Sequence, residues 1–124
     1  MSQTILVVDD NEANLRLINA VLKTRGYHLL EAMSGEAALE TLTTARPALV
    51  LMDVQMPGLS GIDVARTIRA MPTMMDLPLI AITAMAMKGD REEILAAGFN
   101  DYLAKPYKMG ELLTLVGRWL PAEG

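Results

Sequence analysis

The feature that most constrains this chain is a set of three short apolar runs separated by longer amphipathic stretches. The runs cover residues 5–8, 48–52 and 79–82, and each is shorter than a typical helix. Runs that are apolar at every position are typical of central strands in a parallel sheet, where helices cover both faces. The three runs therefore predict buried parallel strands.

The stretches between the runs have the spacing of helices with one apolar face. In residues 14–24, Leu15, Ile18 and Leu22 share one side, while Arg16 and Lys23 can reach water. The same reasoning predicts helices after Ser34 to Leu42 and over 61–71, 88–97 and 109–120, the last stopped by Pro121, and further strands over 27–32 and 101–104. Gly26 is expected to cap the first helix. Five strands alternating with five helices predict an α/β fold, a doubly wound parallel sheet with right-handed crossovers.

Composition narrows the possible functions. The 124 residues suit one domain, 1–124, and the formal charge of −4 disfavours direct binding to nucleic acid. The chain has no cysteine and a single histidine, His28, on a predicted edge strand, so thiolate and histidine-rich metal sites are excluded. No apolar stretch is long enough to insert in a membrane, and the first residues lack the pattern of a secretory signal. We expect a cytoplasmic protein that uses carboxylate, hydroxyl and lysine chemistry.

Polar side chains stand where the predicted strands end. Asp9 and Asp10 follow the first strand, Asp53 the third, Thr83 the fourth and Lys105 the fifth. Parallel strands end at one edge of a sheet, so these side chains should meet in one pocket. Clustered carboxylates repel one another unless a cation neutralises them, and Mg²⁺ prefers such oxygen ligands. A cation, a lysine and a hydroxyl together suit phosphoryl transfer, with Asp53 as the predicted nucleophile.

The motifs around these residues resemble the response-regulator receiver domain of two-component signalling. The resemblance rests on residues 5–11 (ILVVDDN), 49–61 (LVLMDVQMPGLSG), 82–84 (ITA) and 102–106 (YLAKP). It implies the flavodoxin-like fold of chemotaxis regulators, with strand order 2-1-3-4-5. Residues 83–90 are similar to receivers of hybrid sensor kinases and to single-domain cell-cycle regulators.

The resemblance also implies a metal site for Mg²⁺. By matching position, Asp10 and Asp53 resemble direct metal ligands, and Asp9 resembles the acid that holds the metal through water. Gln55 matches the residue whose backbone carbonyl completes the site, and its side chain matches a position that tunes the lifetime of the phosphoaspartate.

Further positions match the phosphoryl-binding and switching residues of the family. Lys105 resembles the lysine that contacts a phosphoryl oxygen, and the bond between Lys105 and Pro106 matches one that is usually cis. Thr83 resembles the hydroxyl that moves toward the phosphoryl group, and Tyr102 the aromatic that turns inward behind it.

These residues imply a signalling switch that takes a phosphoryl group from a histidine kinase or histidine phosphotransfer protein, catalyses its own dephosphorylation and acts on a downstream protein. One alternative is an interaction module that keeps the fold but works without phosphorylation, which the intact site disfavours. Another is a Mg²⁺ phosphohydrolase acting on small substrates, but the five strand–helix units leave no room for a lid. A flavin-binding protein is disfavoured because acids occupy the loop after the first strand.

Overall fold

The computed structural model describes residues 3–85 and 87–120 and contains a sheet whose strands are all parallel. The strand order is β2-β1-β3-β4-β5, as expected for a flavodoxin-like fold. The three apolar runs form its three inner strands, and His28 is exposed on an edge strand. The strands are β1 (Thr4–Val8), β2 (His28–Ala32), β3 (Leu49–Asp53), β4 (Leu79–Thr83) and β5 (Asp101–Ala104).

Five α-helices connect and follow the strands: α1 (Glu12–Lys23), α2 (Gly35–Leu42), α3 (Gly61–Arg69), α4 (Lys88–Ala97) and α5 (Met109–Trp119). Ser34 caps α2 as predicted, with its side chain accepting a hydrogen bond from the backbone N–H of Ala37. A short 3₁₀ helix, Pro72–Met74, lies in the loop before β4. Within the described ranges, every helix falls short of the length and hydropathy that crossing a bilayer requires.

The ends of α1, α3 and α5 differ from the sequence prediction. Thr24 keeps a right-handed helical conformation and caps α1, whereas Gly26, with a φ of 83°, closes the turn beyond the helix. The prediction that Gly26 caps the helix was therefore wrong. Helix α3 ends at Arg69, earlier than predicted. The stop predicted at Pro121 lies outside the described residues.

Two hydrophobic cores fill the space between the sheet and its helices. Successive residues of an inner strand enter opposite cores, as the two-residue period of a strand requires: Leu6 joins α2, α3 and α4, whereas Ile5 and Val7 join α1 and α5. Each of the inner strands β1, β3 and β4 therefore packs against helices on both faces of the sheet. The backbone at the carboxyl ends of these strands is consequently held in place, and polar side chains there have fixed positions.

At the opposite end of the strands, where β4 and β5 begin, one arginine at the end of α3 joins several segments. The Arg69 guanidinium donates to the backbone carbonyls of Gly98 (2.9 Å), Met74 (3.0 Å) and Met75 (3.1 Å). It also donates to the side-chain oxygen of Asn100 at 2.8 Å. This set of contacts, the Arg69 clasp, joins α3, the 3₁₀ segment and the turn between α4 and β5.

Candidate functional site

The candidate site lies where the inner strands end. Among the residues that the structure describes, the buried polar ones are Asp9, Asp53 and Thr83, with exposed fractions of 2%, 4% and 0%. Asp9 directly follows β1, while Asp53 and Thr83 are the last residues of β3 and β4. Burying polar groups is costly unless they are hydrogen-bonded or paired. Their grouping at one edge therefore makes this edge the candidate functional site.

Three carboxylates meet at this edge, as predicted. Asp9, Asp10 and Asp53 each place an oxygen within 4.8 Å of the others, and Asp10 is the exposed member. Asp9 accepts hydrogen bonds from the backbone N–H of Asn11 at 2.8 Å and from the Asn14 amide at 3.3 Å. The sequence did not indicate Asn14, which looks like an ordinary polar residue on α1.

Burial raises the pKa of the Asp9 carboxyl; the hydrogen bond from Asn11 opposes this shift, and the charge of Asp53 adds to it. The repulsion expected from the sequence is therefore present. Clustered carboxylate oxygens, one of them open to solvent, are the donor set that a hard divalent cation prefers. The three carboxylates are close enough together to hold one such ion, and their chemistry fits Mg²⁺.

Asp53 is also held by a lysine and by its own loop. The Lys105 ammonium donates to one carboxylate oxygen at 3.0 Å, and the Gln55 backbone N–H donates to the other at 3.0 Å. Lys105 follows β5, and its backbone N–H donates to the carbonyl of Thr83 at 2.8 Å. The peptide bond between Lys105 and Pro106 is cis, as the sequence motif implied. The lysine and the buried acid thus lie together as predicted.

The Thr83 hydroxyl is turned toward the loop after β4. It accepts hydrogen bonds from the backbone N–H of Met85 at 2.9 Å and from the Gln55 side-chain amide at 3.0 Å, and it donates to the carbonyl of Met85 at 3.2 Å. The side-chain oxygen of Gln55 accepts from the N–H of Ala84 at 3.2 Å. This contact between Gln55 and Thr83 was not predicted, because the sequence motif gave Gln55 a backbone role and a place among the rate-tuning positions.

Two tyrosines lie near this edge in different settings. The Tyr102 hydroxyl, on β5, accepts a hydrogen bond from Arg91 of α4 at 3.2 Å, and its ring packs on the core beneath α4. Tyr102 thus joins β5 to α4 and lies on the surface that these elements share. Tyr107 was not predicted as a site residue. Burial raises the pKa of its phenol, and the charges of Asp9 and Asp53 raise it further.

The chain matches a known family and closely similar sequences. Residues 5–117 match the response regulator receiver domain. The polar-differentiation response regulator DivK of Brucella ovis is 33% identical over 120 residues, covering 97% of this chain and 98% of that protein. The signal transduction histidine-protein kinase BarA of Escherichia coli K12 is 41% identical over 124 residues, and this chain spans 14% of that kinase's length.

Solved structures agree in fold. The receiver domain of sensor histidine kinase PA1611 from Pseudomonas aeruginosa PAO1, crystallised with a magnesium ion in its active-site cleft, is 42% identical with a TM-score of 0.87, covering 96% of this chain and 98% of that one. The chemotaxis response regulator CheY4 of Vibrio cholerae is 26% identical with a TM-score of 0.92, covering 97% of this chain and 100% of that one. With the family match spanning both cores and the acidic edge, this chain belongs to the response regulator receiver domains of two-component signalling.

Proposed function

We propose that this receiver domain accepts a phosphoryl group on Asp53 from a phosphohistidine of a sensor kinase or phosphotransfer protein. The observation that carries the proposal is the buried Asp53 carboxylate, 3.0 Å from the Lys105 ammonium and beside Asp9 and Asp10. A carboxylate oxygen would form a bond to phosphorus as the phosphorus–nitrogen bond breaks. The nitrogen keeps the electron pair and takes a proton, and Lys105 neutralises charge on the phosphoryl oxygens.

We further propose that Mg²⁺ binds beside Asp53. Asp10 and Asp53 would be direct ligands, Asp9 would hold the ion through water, and the backbone carbonyl of Gln55 would be a further ligand. When bound, the ion supplies positive charge that offsets both the carboxylate repulsion and the negative charge of the phosphoryl oxygens. The chain's own residues orient the nucleophile, since Asp53 is fixed at both oxygens.

The proposed output is a change in protein binding. Receiver domains are signalling switches that act through partners, and we place this one in the cytoplasm with no direct contact to nucleic acid. The Thr83 hydroxyl would move toward the phosphoryl group, and Tyr102 would leave Arg91 and turn inward. These motions would alter the surface of α4, β5 and α5 that a downstream protein reads. The switch resets when water attacks phosphorus, which restores the Asp53 carboxylate and releases phosphate.

Mass spectrometry after treatment with acetyl phosphate and Mg²⁺ tests the phosphorylation site. The wild type should gain one phosphoryl group, and Asp53→Asn should gain none, because the nucleophilic oxygen is replaced by an amide. Asp63→Asn, at an exposed position on α3, is the matched control and should label like the wild type. Equal labelling of Asp53→Asn and wild type would contradict the assignment, and an unlabelled wild type would favour the phosphorylation-independent interaction module.

A further inference from the structure

The Thr83 hydroxyl uses its entire hydrogen-bonding capacity in this structure. A hydroxyl has one proton to donate and two lone pairs to accept with. The proton is given to the Met85 carbonyl, and the lone pairs accept from the Met85 N–H and the Gln55 amide. Thr83 is also completely buried. The hydroxyl can therefore reach a phosphoryl oxygen only by giving up bonds that it already makes.

Gln55 connects the phosphoacceptor to this hydroxyl. Its backbone N–H donates to Asp53 at 3.0 Å, so the start of the loop after β3 is fixed to the carboxylate. Its side chain then spans to β4, where the amide nitrogen donates to Thr83 at 3.0 Å and the amide oxygen accepts from Ala84 at 3.2 Å. One residue thus joins the end of β3, the end of β4 and the first residue of the loop before α4.

We propose that the Gln55 side chain is a positioning residue that holds Thr83 and the β4–α4 loop in the unphosphorylated arrangement. This inference rests on the proposed phosphorylation of Asp53. A phosphoryl oxygen competes with the Met85 carbonyl for the proton of the hydroxyl. Movement of the hydroxyl toward Asp53 also breaks the bond that it accepts from the Gln55 amide, which is then free to release Ala84. The energy of the two amide contacts opposes activation, so Gln55 sets the fraction of the protein that is active before phosphorylation.

Loss of the bonds from Gln55 to Thr83 and Ala84 would also change a surface of the protein. Gln55 and Met85 line a cleft between α3 and α4, together with Arg66 and Glu93. Met85 is 49% exposed there. When Gln55 lets go of Thr83 and Ala84, both walls of the cleft change together. We therefore expect this cleft to respond together with the surface of α4, β5 and α5.

The variant Gln55→Met tests the proposal, since methionine has nearly the same length and cannot make either amide contact. In protein freed of metal with EDTA, the amide resonances of Ala84 and Met85 should move along the line that joins free and beryllofluoride-bound wild type. With Mg²⁺ present, the beryllofluoride concentration for half-saturation should fall at least about fivefold, the factor expected for two lost hydrogen bonds. Gln55→Asn keeps an amide but draws it back by one methylene, and it should respond like Gln55→Met.

Arg66→Met is the matched control, because Arg66 lines the same cleft and is exposed. It should leave the Ala84 and Met85 resonances and the half-saturation concentration at wild-type values. An unchanged half-saturation concentration in both Gln55 variants, or shifts away from the line, would overturn the proposal while a responding wild type upholds phosphorylation at Asp53. A wild type that does not respond to beryllofluoride would overturn both.

Discussion

The two ends of the strands differ in how their charged groups are arranged. Where the strands end, Asp9, Asp10 and Asp53 crowd together, with the single ammonium of Lys105 in contact with Asp53. Where β4 begins, the Arg69 clasp brings one positive charge to three carbonyl oxygens and an amide oxygen. The first arrangement contains repulsion between like charges, whereas the second pairs donors with acceptors.

The fold therefore has its stabilising side-chain contacts at the start of β4 and its repelling charges at the opposite end of the strands. The side-chain oxygen of Asn100 accepts both from Arg69 and from the backbone N–H of Leu79 at 2.8 Å, so the clasp also fixes the first residue of β4. A chain anchored at one end of its strands tolerates repulsion at the other.

Arg69→Ala should have the largest effect on stability. Removing the guanidinium leaves the carbonyls of Gly98, Met74 and Met75 without their charged donor, so the free energy of unfolding should fall by about 2–4 kcal/mol. Urea unfolding followed by circular dichroism measures the loss. Arg66→Ala, exposed on the same helix, is the control and should stay within about 0.5 kcal/mol of wild type. Equal losses in the two variants would break the contrast between the ends.

Asp10→Ala should have the opposite sign. Without metal, removal of one carboxylate relieves repulsion and should raise the free energy of unfolding by about 0.5 kcal/mol. With Mg²⁺ at 100 times its dissociation constant, the wild type should gain about 2.7 kcal/mol, and the variant should gain far less. Thermal melts in EDTA and in Mg²⁺ measure both. A clear loss of stability in EDTA would mean that Asp10 mainly supports the start of α1.

Asp9→Asn should give a smaller, pH-dependent gain in EDTA, because asparagine keeps an oxygen for the Asn11 N–H. The pKa of Asp9 is raised in the folded state, so the folded protein binds this proton more tightly than the unfolded chain does. Ionised Asp9 therefore lowers stability at neutral pH, and that loss is relieved as pH falls through the raised pKa toward the ordinary value of 3.8. The stability difference between variant and wild type should shrink over this range in urea unfolding at successive pH values. A constant difference would remove ionised Asp9 as the cause.

Thr83→Ala should have the smallest effect on chemistry and a visible effect on signalling. The nucleophile, the acids and Lys105 remain, so Asp53 should still accept the phosphoryl group. The amide resonances of residues 85–115 should respond much less to beryllofluoride than in wild type, because the hydroxyl that carries the change is missing. A full wild-type response in that range would show that coupling to α4 and β5 runs through another residue.

Much of the fold could be predicted because burial on both faces of a strand leaves a continuous apolar run. The run at 79–82 became β4 with one residue added, Thr83, and β5 has its predicted bounds. The acidic cluster could be predicted for a related reason, since parallel strands must end at the same edge. Asp9, Asp53 and Thr83 are polar residues at buried positions. Such exceptions to the apolar pattern of a core are expected at functional sites.

The remaining contacts depend on loop conformation and side-chain reach. Gln55 is exposed, and its sequence neighbours do not indicate that its amide reaches across to Thr83. Arg69 resembles any polar residue near a helix end, and its partners lie up to 31 residues away. Gly98 adds a constraint that depends on the folded structure. It has a φ of 116°, and a Cβ there would collide with the Arg69 side chain.

The position of Lys105 in the sequence affects the order in which the site residues are synthesised. A ribosome that has released β1 to β4 has already made all three acids and the threonine, yet the lysine arrives only after β5, an edge strand that pairs with β4 alone. Of the strands that the structure describes, β5 is the one that brings the ammonium to the acidic cluster. A chain that stops before Lys105 holds the acids and the threonine but lacks the ammonium that contacts Asp53.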